Sequence, residues 1–148
     1  MEFNIRNIIK DDYQNVFVIW RNELGYSGSF EAMVGRIDKM MVDDNYHILV
    51  ALHDGQIVGN IAAVRKIAFE FDSFLHITGL AVLKEYQNKG IGSSLIKRME
   101  EYAVMKGIPS IILNSGVQRT TAHTFYEKNG YAKLSYCFTK RLVNDKGV

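Results

Sequence analysis

The stretch Leu80-Ala81-Val82-Leu83-Lys84-Glu85-Tyr86-Gln87-Asn88-Lys89-Gly90-Ile91-Gly92-Ser93-Ser94-Leu95 runs from an apolar strand through a tight polar loop into the start of a helix. Backbone N–H groups at such a helix start have no partner within the helix and point outward. Hydrogen bonds to a charged group are worth about 1.5 to 3 kcal/mol each. The helix dipole adds a smaller favourable contribution, so a few amides together can hold a diphosphate. Gly90 and Gly92 carry no Cβ and let a ligand come close to the backbone. Two glycines ahead of a helix also make an ordinary turn, so the loop alone leaves both readings open. Spacing removes two nucleotide-binding alternatives: the loop lacks the Gly-Lys-Ser/Thr ending of a P-loop and the third glycine of the dinucleotide fingerprint.

On either side of this stretch the chain alternates between strand and helix patterns. Asn4 to Ile8 reads as a short strand, after which Asp11 and Asp12 offer N-cap oxygens to a helix running towards Gly25. Ser29 precedes an amphipathic segment, Phe30 to Val42, with Met33, Ile37, Met40 and Met41 at helical spacing. Tyr46 to His53 is apolar and strand-like, and Asp54-Gly55 signals a hairpin into Gln56 to Val64. Phe74 to Val82 is the next strand. Ile91 to Lys106 repeats apolar positions at Leu95, Ile96, Met99 and Ala103 until Gly107 and Pro109 stop the helix. Ser110 to Leu113 resumes as a buried strand, Thr121 to Asn129 makes a short helix closed by Gly130, and Tyr131 to Leu142 reads as strand again. The expected sum is a mixed α/β sheet with helices on both faces.

Composition narrows the function classes. At 148 residues and 47% hydrophobic, the chain is expected to form one domain spanning residues 1–148. Eighteen basic side chains against sixteen acidic ones leave a formal charge of +2, far from the one-sided basicity of a nucleic-acid surface, so no nucleic-acid partner is expected. The opening residues lack the apolar core of a signal peptide, and no later apolar run is long enough to span a bilayer. No membrane association is expected, and the cytoplasm is the expected location. The lone Cys137 fits a reducing compartment. Four scattered histidines, His47, His53, His76 and His123, show no metal-ligand spacing, and no metal is expected.

Gln-x-x-Gly-x-Gly (Gln87, Gly90, Gly92) following Leu-x-Val (Leu80, Val82) resembles the coenzyme-A pyrophosphate loop of the GNAT N-acetyltransferases. Downstream, Ala122-His123-Thr124-Phe125-Tyr126-Glu127-Lys128-Asn129-Gly130-Tyr131 is similar to that family's second signature, and the order of the other elements follows the family along nearly the whole chain. The resemblance implies a single-domain α/β GNAT fold: a mixed, mostly antiparallel twisted sheet with a splayed central strand pair. The strand from His76 to Val82 would part from the strand Ser110 to Asn114, with the pantetheine arm of acetyl-CoA in the gap. Gly79 suits the bulge that such a parting needs. Backbone groups of Leu80, Ala81 and Val82 would bond the pantetheine amides and polarise the thioester carbonyl. Gln87, Asn88, Lys89, Gly90, Ile91, Gly92 and Ser93 would wrap the diphosphate, and Asn114 and Tyr126 would complete the coenzyme site.

The implied activity is transfer of the acetyl group to a primary amine of a small molecule. The alternatives are a non-catalytic acyl-CoA-binding regulatory module and acetylation of a protein amino group. An alkylamine with a pKa near 10.4 must lose a proton before it attacks, at roughly 4 to 5 kcal/mol near neutral pH, so a base or a water relay is useful. The oxyanion needs hydrogen-bond donors and the departing thiolate benefits from a proton. By resemblance, Tyr126 is the proton donor to the thiolate; a buried core tyrosine is the competing reading. His76 stands on the strand where some family members place a glutamate base, and an imidazole titrates in the useful range. A structural or substrate-lining histidine is its alternative. Many relatives carry an acidic residue just ahead of Leu-x-Val, where this chain has Thr78 and Gly79, and Glu23, Glu70 and Asp72 could relay protons through water instead.

Other residues have plainer readings. Tyr13, Phe17 and Trp20 fall at helical spacing and read as one packed face, Lys97, Arg98, Glu100 and Glu101 as a solvated helix surface, and Cys137 as packing in a late strand. His123 is expected only to position Tyr126. Arg119 stands where many relatives have asparagine, and could cap a helix, line the coenzyme site or meet an anionic acceptor. Ser115 to His123, with Phe138-Thr139-Lys140, is similar to a GNAT subset that includes aminoalkylphosphonate N-acetyltransferases. Aminoglycosides, polyamines, amino acids and protein amines stay open as acceptors. The apolar edge from Tyr131 to Leu142 marks a possible homodimer contact.

Overall fold

The computed structural model describes residues 1–70 and 72–143, so Phe71 and residues 144–148 of the expected domain 1–148 lie outside the described residues. The chain forms two compact units, one from Met1 to Leu113 and one beginning at Asn114. The first unit holds β1 (Asn4–Asn7), α1 (Tyr13–Leu24), α2 (Phe30–Met41), β2 (Tyr46–His53), β3 (Gln56–Lys66), β4 (Phe74–Val82), α3 (Ile91–Met105) and β5 (Ile111–Leu113). The second holds α4 (Thr120–Lys128).

The strands make one sheet in the order β1-β2-β3-β4-β5. Neighbours are antiparallel except β4 and β5, which run parallel. The expected mixed, mostly antiparallel sheet is therefore present. Asp54 and Gly55 both take positive φ, the geometry that a two-residue hairpin loop requires between β2 and β3.

Helices cover both faces of this sheet, as two adjacent residues of β3 demonstrate. A Cβ on Gly59 would meet Ile91 and Leu95 of α3 at 3.3 Å. The next residue, Asn60, turns to the opposite face, where its side-chain Oδ1 accepts from Trp20 Nε1 of α1 at 2.7 Å. The α1/α2 side buries Val16, Phe17, Ile19, Met33 and Ile37 against Ile48, Val50, Ala62 and Ala81. On α3, Leu95, Ile96, Met99 and Ala103 are buried, the stripe that the sequence periodicity predicts.

At α1 and α2 the helix ends follow two of the three expected devices. Ser29 Oγ accepts from the Ala32 N–H at 3.1 Å and caps α2, and Gly25, at φ 69°, closes α1. Asp12 does not cap α1 with its side chain. Its carboxylate turns back instead, accepting from the Ile9 N–H at 2.8 Å and from both Arg6 guanidinium nitrogens at 2.7 and 2.9 Å, which fastens β1 to the start of α1.

The expected strand from Tyr131 to Leu142 is absent: those residues form no helix or strand. A strand exists only where its backbone finds a partner, and Leu134, Tyr136 and Phe138 stand 89%, 85% and 92% exposed. Cys137 is exposed as well, not packed as expected. An alternating pattern shows that a segment can cover an apolar face; it does not supply the neighbouring edge.

Candidate active site

The register of β4 sets the site. Ala62 pairs with Gly79 and Ala63 with Ile77, so Thr78 is the extra residue of a bulge. Gly79 is required there for more than backbone freedom, since a Cβ on it would collide with the Trp20 indole. On its other side β4 pairs with β5 only through Leu75, His76 and Ile77, ending at Ile77↔Leu113. Beyond the bulge the edge of β4 from Thr78 to Val82 has no strand beside it among the described residues. That is the strand parting the sequence leads one to expect.

Which backbone groups face this open edge follows from alternation. The Leu83 N–H donates to the Val58 carbonyl of β3 at 2.9 Å, and the Ala81 carbonyl lies close to Gly59. Leu83 and Ala81 thus turn towards β3, which directs the N–H and C=O of Leu80 and Val82 to the open side. Consistent with this, the Val82 carbonyl accepts from Gln87 Nε2 at 2.9 Å. Gln87 therefore closes the loop rather than projecting from it. Leu80 and Val82 are half-buried and Ala81 is buried among the α1/α2 contacts.

After β4 comes a single 3-10 turn, Lys84–Tyr86, then the exposed residues Gln87, Asn88, Lys89 and Gly90. Asn88 and Gly90 have φ of 61° and 86°. Gly90 occupies the N-cap of α3 with no side-chain cap and no acidic residue in the first turn. Because the Ser94 N–H bonds to the Gly90 carbonyl at 3.0 Å, the N–H groups of Ile91, Gly92 and Ser93 are the ones left without an intrahelical acceptor. Ile91 is 1% exposed and anchors the helix start into the sheet, while Gly92 and Ser93 are half-buried. The loop is thus an uncapped helix start at the end of an open strand edge, a shape suited to an anion with an extended tail.

Glu23 has a definite place in this loop. Its carboxylate accepts from the Lys84 N–H at 3.0 Å, tying the end of α1 to the turn after β4. Glu70 and Asp72 are exposed between β3 and β4. His76 is half-buried on β4, and Lys66 Nζ donates to its Nδ1 at 2.9 Å, so that nitrogen carries the lone pair. No group of three or more His, Cys, Asp or Glu residues that could hold a metal ion occurs among the described residues.

Asn114 and Tyr126 belong to the second unit. Asn114 is exposed and Tyr126 is half-buried, its ring in edge contact with Phe125 and Tyr131 at centroid separations of 5.4 and 6.2 Å. Burial pushes the Tyr126 hydroxyl above the ordinary phenol pKa, against the opposing pull of the Arg119 charge. The group accordingly stays protonated at neutral pH, as a proton donor must. His123 bonds through Nε2 to the Gly116 carbonyl at 2.8 Å, and the Arg119 N–H donates to that same carbonyl at 3.0 Å, so the two brace the turn before α4.

A cavity on the α1/α2 face escaped the sequence reading. It measures about 130 Å³ and is lined by Trp20, Tyr26, Met33, Arg36, Asn60 and Thr78, together with aliphatic side chains. Trp20 does more than pack: it both fills the space over Gly79 and walls this cavity. Arg36 lies three residues after Met33 and four before Met40, positions that share a helix face, and that spacing was the available signal.

Comparison with known proteins agrees with this architecture. The family model of the acetyltransferase (GNAT) domain matches residues 44–133, more than half of the chain. An aminoalkylphosphonate N-acetyltransferase of Salmonella typhimurium is 28% identical over 143 residues, covering 93% of this chain and 90% of that protein. Among solved structures, a transcriptional regulator from Bacillus halodurans superposes with a TM-score of 0.88 at 20% identity, covering 95% of this chain and 100% of that one. The aminoglycoside N-acetyltransferase AAC(6')-Iy in complex with CoA gives 0.85 at 14% identity, covering 95% and 94%. At such identities the structures speak for the fold, while the matched domain carries the assignment: the chain belongs to the GNAT acetyltransferase family, as an N-acetyltransferase.

Proposed function

We propose that this enzyme, acting as one domain over residues 1–148, moves the acetyl group of acetyl-CoA to a primary amine of a small molecule by direct attack on the thioester. The observation that carries the reading is the open edge of β4 beyond Ile77, which leads straight into the uncapped start of α3. The coenzyme's diphosphate would rest on the N–H groups of Ile91, Gly92 and Ser93, within the loop from Gln87 to Gly90. Its pantetheine arm would bond to Leu80 and Val82 along the open edge, with Ala81 as packing and Asn114 as a further contact. An N–H of that edge would polarise the thioester carbonyl and hold the oxyanion.

The amine nitrogen bonds to the carbonyl carbon, and collapse of the tetrahedral intermediate breaks the C–S bond. Tyr126 gives its hydroxyl proton to the departing thiolate. His76 takes the proton released by the amine, a role that requires Lys66 to leave Nδ1 when the acceptor arrives. The enzyme is proposed to work in the cytoplasm; among the described residues no helix is long and apolar enough to cross a membrane. It is proposed to act as a homodimer.

Purified protein incubated with acetyl-CoA and a panel of primary amines should release free thiol in proportion to acetylated amine. Calorimetric binding of acetyl-CoA without thiol release from any amine would leave a regulatory module as the correct reading. Thiol release only with a protein substrate would move the acceptor to a macromolecule.

A further inference from the structure

The cavity between α1, α2 and the sheet is lined by Trp20, Tyr26, Arg36, Asn60 and Thr78 and otherwise by apolar side chains. No carboxylate stands among these residues, and Arg36 is the one charged side chain. Its Nη1 donates to the Tyr26 hydroxyl at 2.8 Å, and the guanidinium carbon stands 5.8 Å from the Tyr26 ring centroid. These two contacts hold the cation at an exposed position on the cavity wall without neutralising it. Asp38, two residues further along α2, acts on Tyr13, which is not part of the lining. Arg36 therefore keeps donors for an incoming anion in a planar fork.

The polar groups at the sheet end are already bonded. The Asn60 amide donates to the Leu49 carbonyl and accepts from Trp20 Nε1, while Thr78 Oγ1 donates to the Ala62 carbonyl. Thr78 is also the bulged residue of β4, immediately before the open edge. The lining thus combines one cation, Arg36 on α2, with apolar side chains and with Thr78 on the strand where acetyl transfer is proposed.

We infer that this cavity is the acceptor site, and that it takes a small primary amine with an apolar body and one anionic group, the anion on Arg36 and the amine at Thr78. The inference rests on the acetyl-transfer reading and adds the acceptor's chemistry to it. A polycationic acceptor would meet a fixed guanidinium and no carboxylate to offset its second charge. At about 130 Å³ the cavity is also well below the roughly 300 to 1,000 Å³ typical of sites for drug-sized ligands.

The test compares aminopentanoate, aminobutylphosphonate, pentylamine and diaminopentane as acceptors, with the wild type and with Arg36→Met and Arg36→Lys. The two anionic amines should exceed the neutral amine and the diamine in kcat/KM, and the better of the two identifies the preferred anion. Arg36→Met should lower the ratio of anionic to neutral acceptor about 10- to 100-fold, the worth of a hydrogen bond to a charged group, and Arg36→Lys should restore part of it. Equal use of pentylamine and aminopentanoate by the wild type would overturn the inference, as would an Arg36→Met variant that loses all acceptors alike. If no amine is acetylated, the acetyl-transfer reading fails, and calorimetry with the same ligands decides the cavity. Binding of aminopentanoate that Arg36→Met weakens retains the site; no binding removes it.

Discussion

Tyr126 carries two separable properties, a ring packed against Phe125 and Tyr131 and a hydroxyl whose pKa is raised by burial. Tyr126→Phe should keep the packing and the coenzyme affinity while lowering kcat. General acid catalysis contributes about 10²- to 10⁴-fold, and a thiolate needs less help than an alkoxide, so a loss near the lower figure is expected. An unchanged kcat across the pH range would leave Tyr126 as a packing residue only. The Asp12 carboxyl offers a second residue-scale test, of stability. Burial alone would raise its pKa, but the hydrogen bond from Arg6, the Ile9 N–H and the Arg6 charge together hold it below the ordinary value. A depressed folded pKa gives stability that is fully present above about pH 4 and is lost as the pH falls through the folded value. Asp12→Asn should therefore cost about 1.5 to 3 kcal/mol in urea unfolding at neutral pH, and its difference from wild type should shrink on acidification. A gap that does not depend on pH would mean that packing, not charge, is at stake.

The strand β4 and the helix α3 were legible in the sequence because each is announced locally, by Leu-x-Val and by two glycines before an amphipathic run. The glycines nevertheless play different parts. Gly90 sits at φ 86°, so a β-branched residue there would strain the backbone whether or not a ligand binds. Gly92 lies in the first turn of α3, at a helical backbone where a β-branched residue is tolerated at modest cost. Gly92→Val is the cleaner probe: it should abolish coenzyme binding by calorimetry while thermal unfolding changes little. Retained affinity in that variant would remove the diphosphate site from this loop. Gly79 was readable as a bulge residue, but its neighbour was not, because Trp20 arrives from another element. Gly79→Ala should push the indole aside, break its 2.7 Å bond to Asn60 and cost about 1 to 3 kcal/mol by overpacking. A neutral effect on urea unfolding would show that the indole moves freely. The Arg6–Asp12–Ile9 clasp was illegible for a related reason: an aspartate before a helix signals a cap, and only tertiary placement decides that its oxygens face backwards.

The segment from Tyr131 to Leu142 matters at the scale of the whole molecule. Its alternating apolar residues promised a strand, yet Leu134, Tyr136 and Phe138 stand exposed with no strand formed. Periodicity reports a face that can be buried, whereas pairing depends on an edge contributed from elsewhere, here proposed to be a second copy. Burying one large apolar side chain is worth roughly 1.5 to 3 kcal/mol. Three such residues from each of two symmetry-related copies would give roughly 9 to 18 kcal/mol before costs. Association itself costs about 4 to 15 kcal/mol, a cost of the same size, so this face suits a weak dimer. Sedimentation at tens of micromolar, a range roughly typical for weak association, should show dimer, and Phe138→Lys should shift it towards monomer by burying an unpaired charge. Monomer alone over that range in the wild type would refute the contact. A dimer indifferent to Phe138→Lys would place the interface on another surface.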